Sequence, residues 1–227
     1  MGLEVRERLL LTIIKLSDGR HEVHKISSDS GMPLDIVMDE VRRLEEEGLV
    51  RLEEGCVMAS TGQRLRMAVS AIRGGISVES ACRALGWREF EDLVALILEF
   101  NGFKAYKHYR FRGHDRRFEV DVLALEEPYV LSIECKRWSR SWLRAAVISV
   151  VKKHLERTEA LMSNLRNVDE FEVDGWKRVL LIPLIVALSE ASIRIFDGVP
   201  IIPIFRFRNF INDELPVYLG DLKVYGV

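Results

Sequence analysis

Apolar positions along the chain change period several times, and each change marks an element. "EVRERLLLTIIKLS" (4–17) places apolar residues at helical spacing, and "DGR" (18–20) ends it. "HEVHKISSDSGM" reads as a short helix and turn. Pro33 suits the first position of the next helix, which runs through "LDIVMDEVRRLEEE" to a stop at Gly48. "LVRLEEGCVMAST" then alternates as a small hairpin turning at Glu54-Gly55. "RMAVSAIRGG" and "SVESACRALG" are short helices, the second with Ser77 as N-cap. "WREFEDLVALILEFNGF" is an amphipathic helix closed by Asn101-Gly102. Period two follows in "FKAYKHYRF" and "RFEVDVLAL", joined by "RGHDRR", and again in "YVLSIECKRW". A long helix over 142–166, the buried strand "RVLLIPLIVAL" and a mixed C-terminal stretch complete the chain, and "FRFRNF" (205–210) alternates as an edge strand would.

The order of elements divides the chain into residues 1–66, a helical connector at 67–86 and a second module at 87–227. Three helices followed by a two-stranded wing, with "LEEEGLVRLEEGCVMASTGQRL" at the end, resemble a winged helix-turn-helix domain. The resemblance implies a recognition helix at 33–48. That helix carries Asp35, Asp39, Glu40, Glu45, Glu46 and Glu47 against Arg42 and Arg43, which repels phosphate. A dimerisation or protein-docking wing fits equally well. In the second module, α-β-β-β-α-β order predicts an α/β sandwich with a mixed central sheet.

Composition narrows the classes. With 48% hydrophobic and 30% charged residues over 227 positions, the chain has the means for a packed core and a solvated surface. A net charge of −2 leaves nucleic-acid binding open, since local patches do that work. Cys56, Cys82 and Cys135 form no CxxC pair, against both a disulfide framework and a zinc ribbon; a reducing, cytoplasmic setting is expected. The longest apolar run, 179–188, is half of what a membrane span needs. Glutamine occurs only at Gln63, a thermophile-like bias.

The chemistry lies in "SIECKRW" (132–138). Side chains alternate faces along a strand, so Glu134 and Lys136 share one face and Ile133 and Cys135 the other. This is either an edge strand with a charged rim or part of a catalytic site. If Leu125 pairs with Val130 at the mouth of the preceding hairpin, Asp121 falls opposite Glu134. Two carboxylates that close repel unless a cation lies between them. Mg²⁺, with Mn²⁺ as its substitute, takes one or two carboxylates and keeps waters for the substrate. A neighbouring lysine would position the attacking water or stabilise developing phosphate charge.

"VD" at 120–121 followed by "IECK" at 133–136 resembles the D…(D/E)xK motif of the restriction-endonuclease-like superfamily. "FEDLVALILEFNGF" is similar to the opening helix of Mrr-type restriction endonucleases and archaeal Holliday-junction resolvases. The likeness covers 88–138 well and the later elements loosely. Val120 stands where a proline is usual and Cys135 where an aliphatic is commoner. Glu134 stands where the Mrr branch often has glutamine. The resemblance implies a Mg²⁺-dependent DNA endonuclease with Asp121, Glu134 and Glu91 at the metal and Lys136 at the water, acting on duplex or branched DNA. Homodimerisation would supply the two sites that double-strand cleavage needs.

Arg110, Arg112, Arg116, Arg117, Arg137, Arg140 and Arg144 cluster around the motif, interleaved with Tyr109, Phe111, Trp138 and Trp142. Arginines suit phosphate and aromatics suit unpaired bases; surface ion pairing is the plainer account. Glu119 reads as a rim salt bridge, His114 and Asp115 as exposed turn residues, and Lys152, Lys153 and His154 as a solvated helix face. Two other functions stay open: a non-catalytic DNA-binding or regulatory protein on a degenerate nuclease fold, and a transcription regulator working through its winged helix.

Overall fold

The structure is a computed structural model that describes residues 5–16, 20–113, 116–137, 144–163, 165 and 173–226. The chain forms two compact units, Met1–Glu89 and Phe90–Val227. Expectations for His114, Asp115, Trp138, Arg140 and Trp142 fall outside the described residues.

In the first unit α1 (Val5–Lys15) buries Leu9, Leu10, Ile13 and Ile14. The short strand β1 (His21–Glu22) leads into α2 (Val23–Ser30), α3 (Leu34–Glu46), β2 (Arg51–Glu53) and β3 (Cys56–Met58). The strands form an antiparallel sheet ordered β1-β3-β2. Its hairpin turns at Glu54 and Gly55, both at positive φ (48° and 72°), as a two-residue turn between right-twisted strands requires. The segment expected as a connector, 67–86, holds the later part of α4 (Thr61–Arg73), which starts before it, and α5 (Val78–Ala84); both helices pack on α1. Ser60 and Gln63 close a reciprocal capping box at the start of α4.

The second unit begins within α6 (Trp87–Phe100) and continues through β4 (Lys104–Arg112), β5 (Arg117–Glu126), β6 (Tyr129–Lys136) and α7 (Arg144–Met162). Then come β7 (Leu180–Ala187), β8 (Ile195–Phe196), β9 (Val199–Pro203), α8 (Ile204–Asn209), α9 (Leu215–Tyr218) and β10 (Tyr225–Gly226). Among the described residues the sheet has seven strands, ordered β4-β5-β6-β7-β9-β8, with β10 paired to β7. β4, β5 and β6 form an antiparallel meander, while β6-β7 and β7-β9 are parallel. The sheet is therefore mixed, as expected. α7 covers one face, with Val147, Val151 and Leu155 against Ile185, Ala187 and Ile201.

Two readings need correction. β6 lies between β5 and β7, so "SIECK" is a central strand and its charges are no solvated rim. Residues 205–210 are helical, not an edge strand. Alternation would put Phe205 and Phe207 on one face, yet Phe205 is 46% exposed and Phe207 fully buried. Ile204, Phe207, Phe210 and Ile211 recur at helical spacing, and that period wins because Pro203 starts the helix and all four reach the core.

Candidate active site

The site forms where β5 and β6 part. Their ladder runs from Glu126↔Tyr129 through Leu125↔Val130 and stops at Val122↔Ile133. In that register Asp121 and Glu134 form the next opposed pair. Instead of a backbone pair, Asp121 Oδ2 accepts a hydrogen bond from the Cys135 N–H at 2.8 Å. On the other side, β4-β5 pairing also skips Asp121. The residue opposite it, His108, has φ of 51°, a left-handed conformation in mid-strand. Asp121 thus sits where both of its neighbours' ladders are interrupted, and strain of this kind concentrates at functional positions.

Glu134 is 4% exposed in a central strand, so its charge needs close partners. Lys136 Nζ lies 2.5 Å from Oε1 and Arg157 Nη1 lies 2.7 Å from Oε2. Arg157 also donates to the Glu119 carbonyl on β5 at 3.1 Å, so it spans the gap between the parting strands. Beneath them, His154 Nε2 lies 2.9 Å from the Ser132 carbonyl and Thr158 donates to the Ser132 hydroxyl at 3.1 Å. His154 is fully buried, with Nδ1 4.0 Å from Glu134 Oε2.

These surroundings separate the two acids. Burial first, and then the Glu134 charge, push Asp121 up to about 6, against the Cys135 N–H, Lys136 and Arg157. Burial also pushes Glu134 upward, but Lys136 and Arg157 outweigh it and hold that carboxyl below its usual range. Burial lowers His154 to about 4, which keeps it neutral. Burial, with the nearby acids, raises the Cys135 thiol well above its ordinary value, so it is inert.

Glu91 is 1% exposed on α6, with its Oε2 3.5 Å from His108 Nε2. The other ring nitrogen of His108 lies 3.5 Å from Glu119 Oε1. Glu119 is the rim salt bridge expected of it: Arg110 Nε binds its Oε2 at 2.6 Å and holds its carboxyl below the ordinary value. Among the described residues no three acidic, histidine or cysteine side chains form a ready-made metal cage. Asp121 and Glu134 still suit a hard cation. Both are oxygen donors, they occupy opposed positions, and their mutual repulsion lifts Asp121.

The arginines divide into groups. Arg110 and Arg116 are engaged by Glu119 and Glu156, and Arg116 also stacks over Phe118. Arg112 and Arg117 are exposed and directly opposed across the β4-β5 hairpin. Arg137 is half-buried just after Lys136, and Arg144 is exposed at the start of α7. Tyr109 and Phe111 stack on each other and pack with the core, so they are not open platforms for bases.

The sequence reading missed Arg157, Thr158 and His108, and wrongly placed His154 in solvent. Part of the α7 signal was legible, since Val147, Val151, His154, Thr158 and Leu161 follow one helical stripe and all are buried. Nothing in the sequence pattern marks the φ of His108.

The restriction endonuclease family pattern matches residues 82–165, which span α6, the meander, the motif strand and α7. An uncharacterized protein of Archaeoglobus fulgidus is 30% identical over 135 residues, covering 60% of this chain and 95% of that protein. Two crystal structures are similar over part of their lengths. The protein of unknown function AF1548 has TM-score 0.32 and 18% identity, over 52% of this chain and 58% of that one. Protein VC1899 from Vibrio cholerae has TM-score 0.42 and 13% identity, over 97% of this chain and 52% of that one. This chain thus spans little more than half of either solved structure. The family match falls on the segment that carries Glu91, Asp121, Glu134 and Lys136, so residues 82–165 form a restriction-endonuclease-like domain.

Proposed function

We propose that this chain is a metal-dependent endonuclease that hydrolyses phosphodiester bonds of duplex or branched DNA. The observation that carries the reading is the opening between β5 and β6, where Asp121 and Glu134 stand opposed with Lys136 on the acid's other flank. Asp121 and Glu134 would hold Mg²⁺ or Mn²⁺, with Glu91 completing the shell. Bound there, the ion supplies a water of lowered pKa and charge neutralisation at the phosphate. Lys136 donates from the edge of the site towards the attacking water and the developing phosphate charge. Glu134 keeps Lys136 in place, and the Cys135 N–H keeps the Asp121 carboxylate aimed. Arg112, Arg117, Arg137 and Arg144 would supply phosphate contacts beside the cut. Arg110 and Arg116 join them on leaving Glu119 and Glu156.

In this reading the domains are 1–66 as a winged helix, 67–86 as a helical connector and 87–227 as the nuclease. The acidic α3 favours docking or dimerisation by the first of these over entry into a major groove. The test is incubation of the full chain with supercoiled plasmid and branched oligonucleotides in Mg²⁺, Mn²⁺ or EDTA, beside Asp121→Ala and Lys136→Ala. Metal-dependent cutting lost in both variants is expected. DNA binding without cutting on any substrate would instead favour the non-catalytic reading.

A further inference from the structure

Arg157 is a cation on α7 that reaches two strands. Its Nη1 lies 2.7 Å from Glu134 Oε2 on β6 and donates at 3.1 Å to the Glu119 carbonyl on β5. The two strands have already parted at that level, since their ladder ends at Val122↔Ile133. Lys136 occupies the other oxygen of Glu134. Each oxygen of this acid therefore has its own cation, and the two cations come from different elements.

A hard divalent cation would approach Glu134 through one of the same oxygens, at about 2.0–2.1 Å for Mg²⁺. A guanidinium within hydrogen-bond distance of that oxygen repels it. The side chain and the metal therefore compete for Glu134. Arg157 can give up its contact without losing its anchorage. It keeps a second acceptor in the Glu119 carbonyl, and its Nε approaches the Lys153 carbonyl at 3.4 Å, so letting go of Glu134 leaves it held at the opening. Its side chain retains 20% exposure, enough to meet a ligand from solvent. A planar guanidinium is also the side chain best shaped for a phosphate.

We propose that Arg157 is an exchangeable partner of Glu134: it yields the carboxylate oxygen to the metal and passes its own charge to the scissile phosphate. This rests on the nuclease reading above. It goes further by assigning a task to a residue outside the D…ExK pattern. A purely structural arginine, stapling β5 to β6, predicts the opposite metal dependence, because loss of the staple would let Glu134 drift and weaken the metal site.

The experiment is calorimetric titration of the full chain with Mg²⁺ and with Mn²⁺, for wild type, Arg157→Ala, Arg157→Lys and Lys153→Ala, paired with single-turnover plasmid cleavage at saturating metal. Arg157→Ala should bind metal about tenfold more tightly, the size of one close, partly buried ion pair removed from competition. It should cut at least about tenfold more slowly, because the transferred charge is gone. Arg157→Lys should fall between wild type and alanine in both readouts. Lys153→Ala removes the same charge one helical turn away on the exposed face, and its metal affinity should stay within about twofold of wild type. Weaker or unchanged metal binding by Arg157→Ala overturns the proposal, and so does an undiminished cleavage rate. A fall in cleavage matched by a fall in metal affinity assigns Arg157 the staple instead. A wild-type chain that neither takes up metal nor cuts DNA overturns the nuclease reading itself, and the proposal with it.

Discussion

Asp121→Asn should make the protein more stable at neutral pH while abolishing cleavage. Burial and the Glu134 charge raise the Asp121 carboxyl from 3.8 to about 6 in the folded chain. At 1.36 kcal/mol per pKa unit, a rise of that size corresponds to about 3 kcal/mol of penalty for the ionised folded carboxyl. Because Asp121 and Glu134 titrate as a pair and share this penalty, about 1–3 kcal/mol falls on Asp121. The sign follows from proton binding. The folded carboxyl holds its proton more tightly than the unfolded one, so below pH 4 both are protonated and no penalty exists. Stability is then lost as pH rises from about 4 through 6, and above that the penalty is complete. Asparagine carries no charge and its carbonyl oxygen can still accept the Cys135 N–H, so the substitution removes the penalty and keeps the anchor. Urea unfolding of wild type and variant in EDTA at pH 7.5, 5.5 and 3.8 measures it. The variant should lead by about 1–3 kcal/mol at pH 7.5, with the gap closing towards pH 3.8. Adding Mg²⁺ at pH 7.5 should narrow the gap by stabilising wild type alone. A variant no more stable than wild type at pH 7.5, or a gap that ignores pH, would refute the reasoning.

Three further outcomes are expected. Phe207→Ala should cost about 3–5 kcal/mol and Phe205→Ala less than about 1 kcal/mol in urea unfolding, because only Phe207 is buried in the helical register; equal costs would restore the strand. Arg64→Ala should destabilise the first unit by about 3–5 kcal/mol, since it strands Glu89, 3.0 Å away and buried, and frees the Ile14 carbonyl; a loss under 1 kcal/mol would show the pair to be open to water. At His108, glycine should be more stable than alanine by about 1 kcal/mol, reversing the usual strand order, because φ is 51°; alanine ahead of glycine would mean an ordinary extended residue there.

Much of the site's skeleton was legible because it depends on short-range geometry. The loop between β5 and β6 is tight, and Leu125 pairs with Val130 as expected, so counting along both strands brings Asp121 opposite Glu134. α6 declared itself through its apolar stripe and its Asn101-Gly102 stop, and Glu91 reached the buried side from the border of that stripe. Where local period and tertiary burial disagreed, the reading failed. "FRFRNF" alternates in sequence but packs with helical spacing once Pro203 has ended β9. Lys152, Lys153 and His154 read as a solvated helix face, yet His154 lies beside Glu134 and Ser132, with Arg157 against Glu134 and Thr158 against Ser132. No spacing rule connects those three to a strand twenty residues upstream; only α7 lying across the sheet does.

The residues that broke local rules are also those that define the candidate chemistry. A central strand buried on both faces is most stable when filled with aliphatic residues, as β7 is from Leu180 to Ala187. β6 instead places Glu134 and Lys136 at its end, and the neighbouring elements must contribute Arg157, an interrupted ladder and a left-handed His108 to hold them. Replacing a buried ion cluster of this kind by packed apolar side chains is commonly neutral or stabilising. Stability therefore does not account for it, and neither does folding specificity, since the hairpin register is already settled by the pairs from Val122 to Glu126. What the arrangement does achieve is to hold two opposed acids beside the cations Lys136 and Arg157, the parts that the proposed attack on a phosphodiester would use.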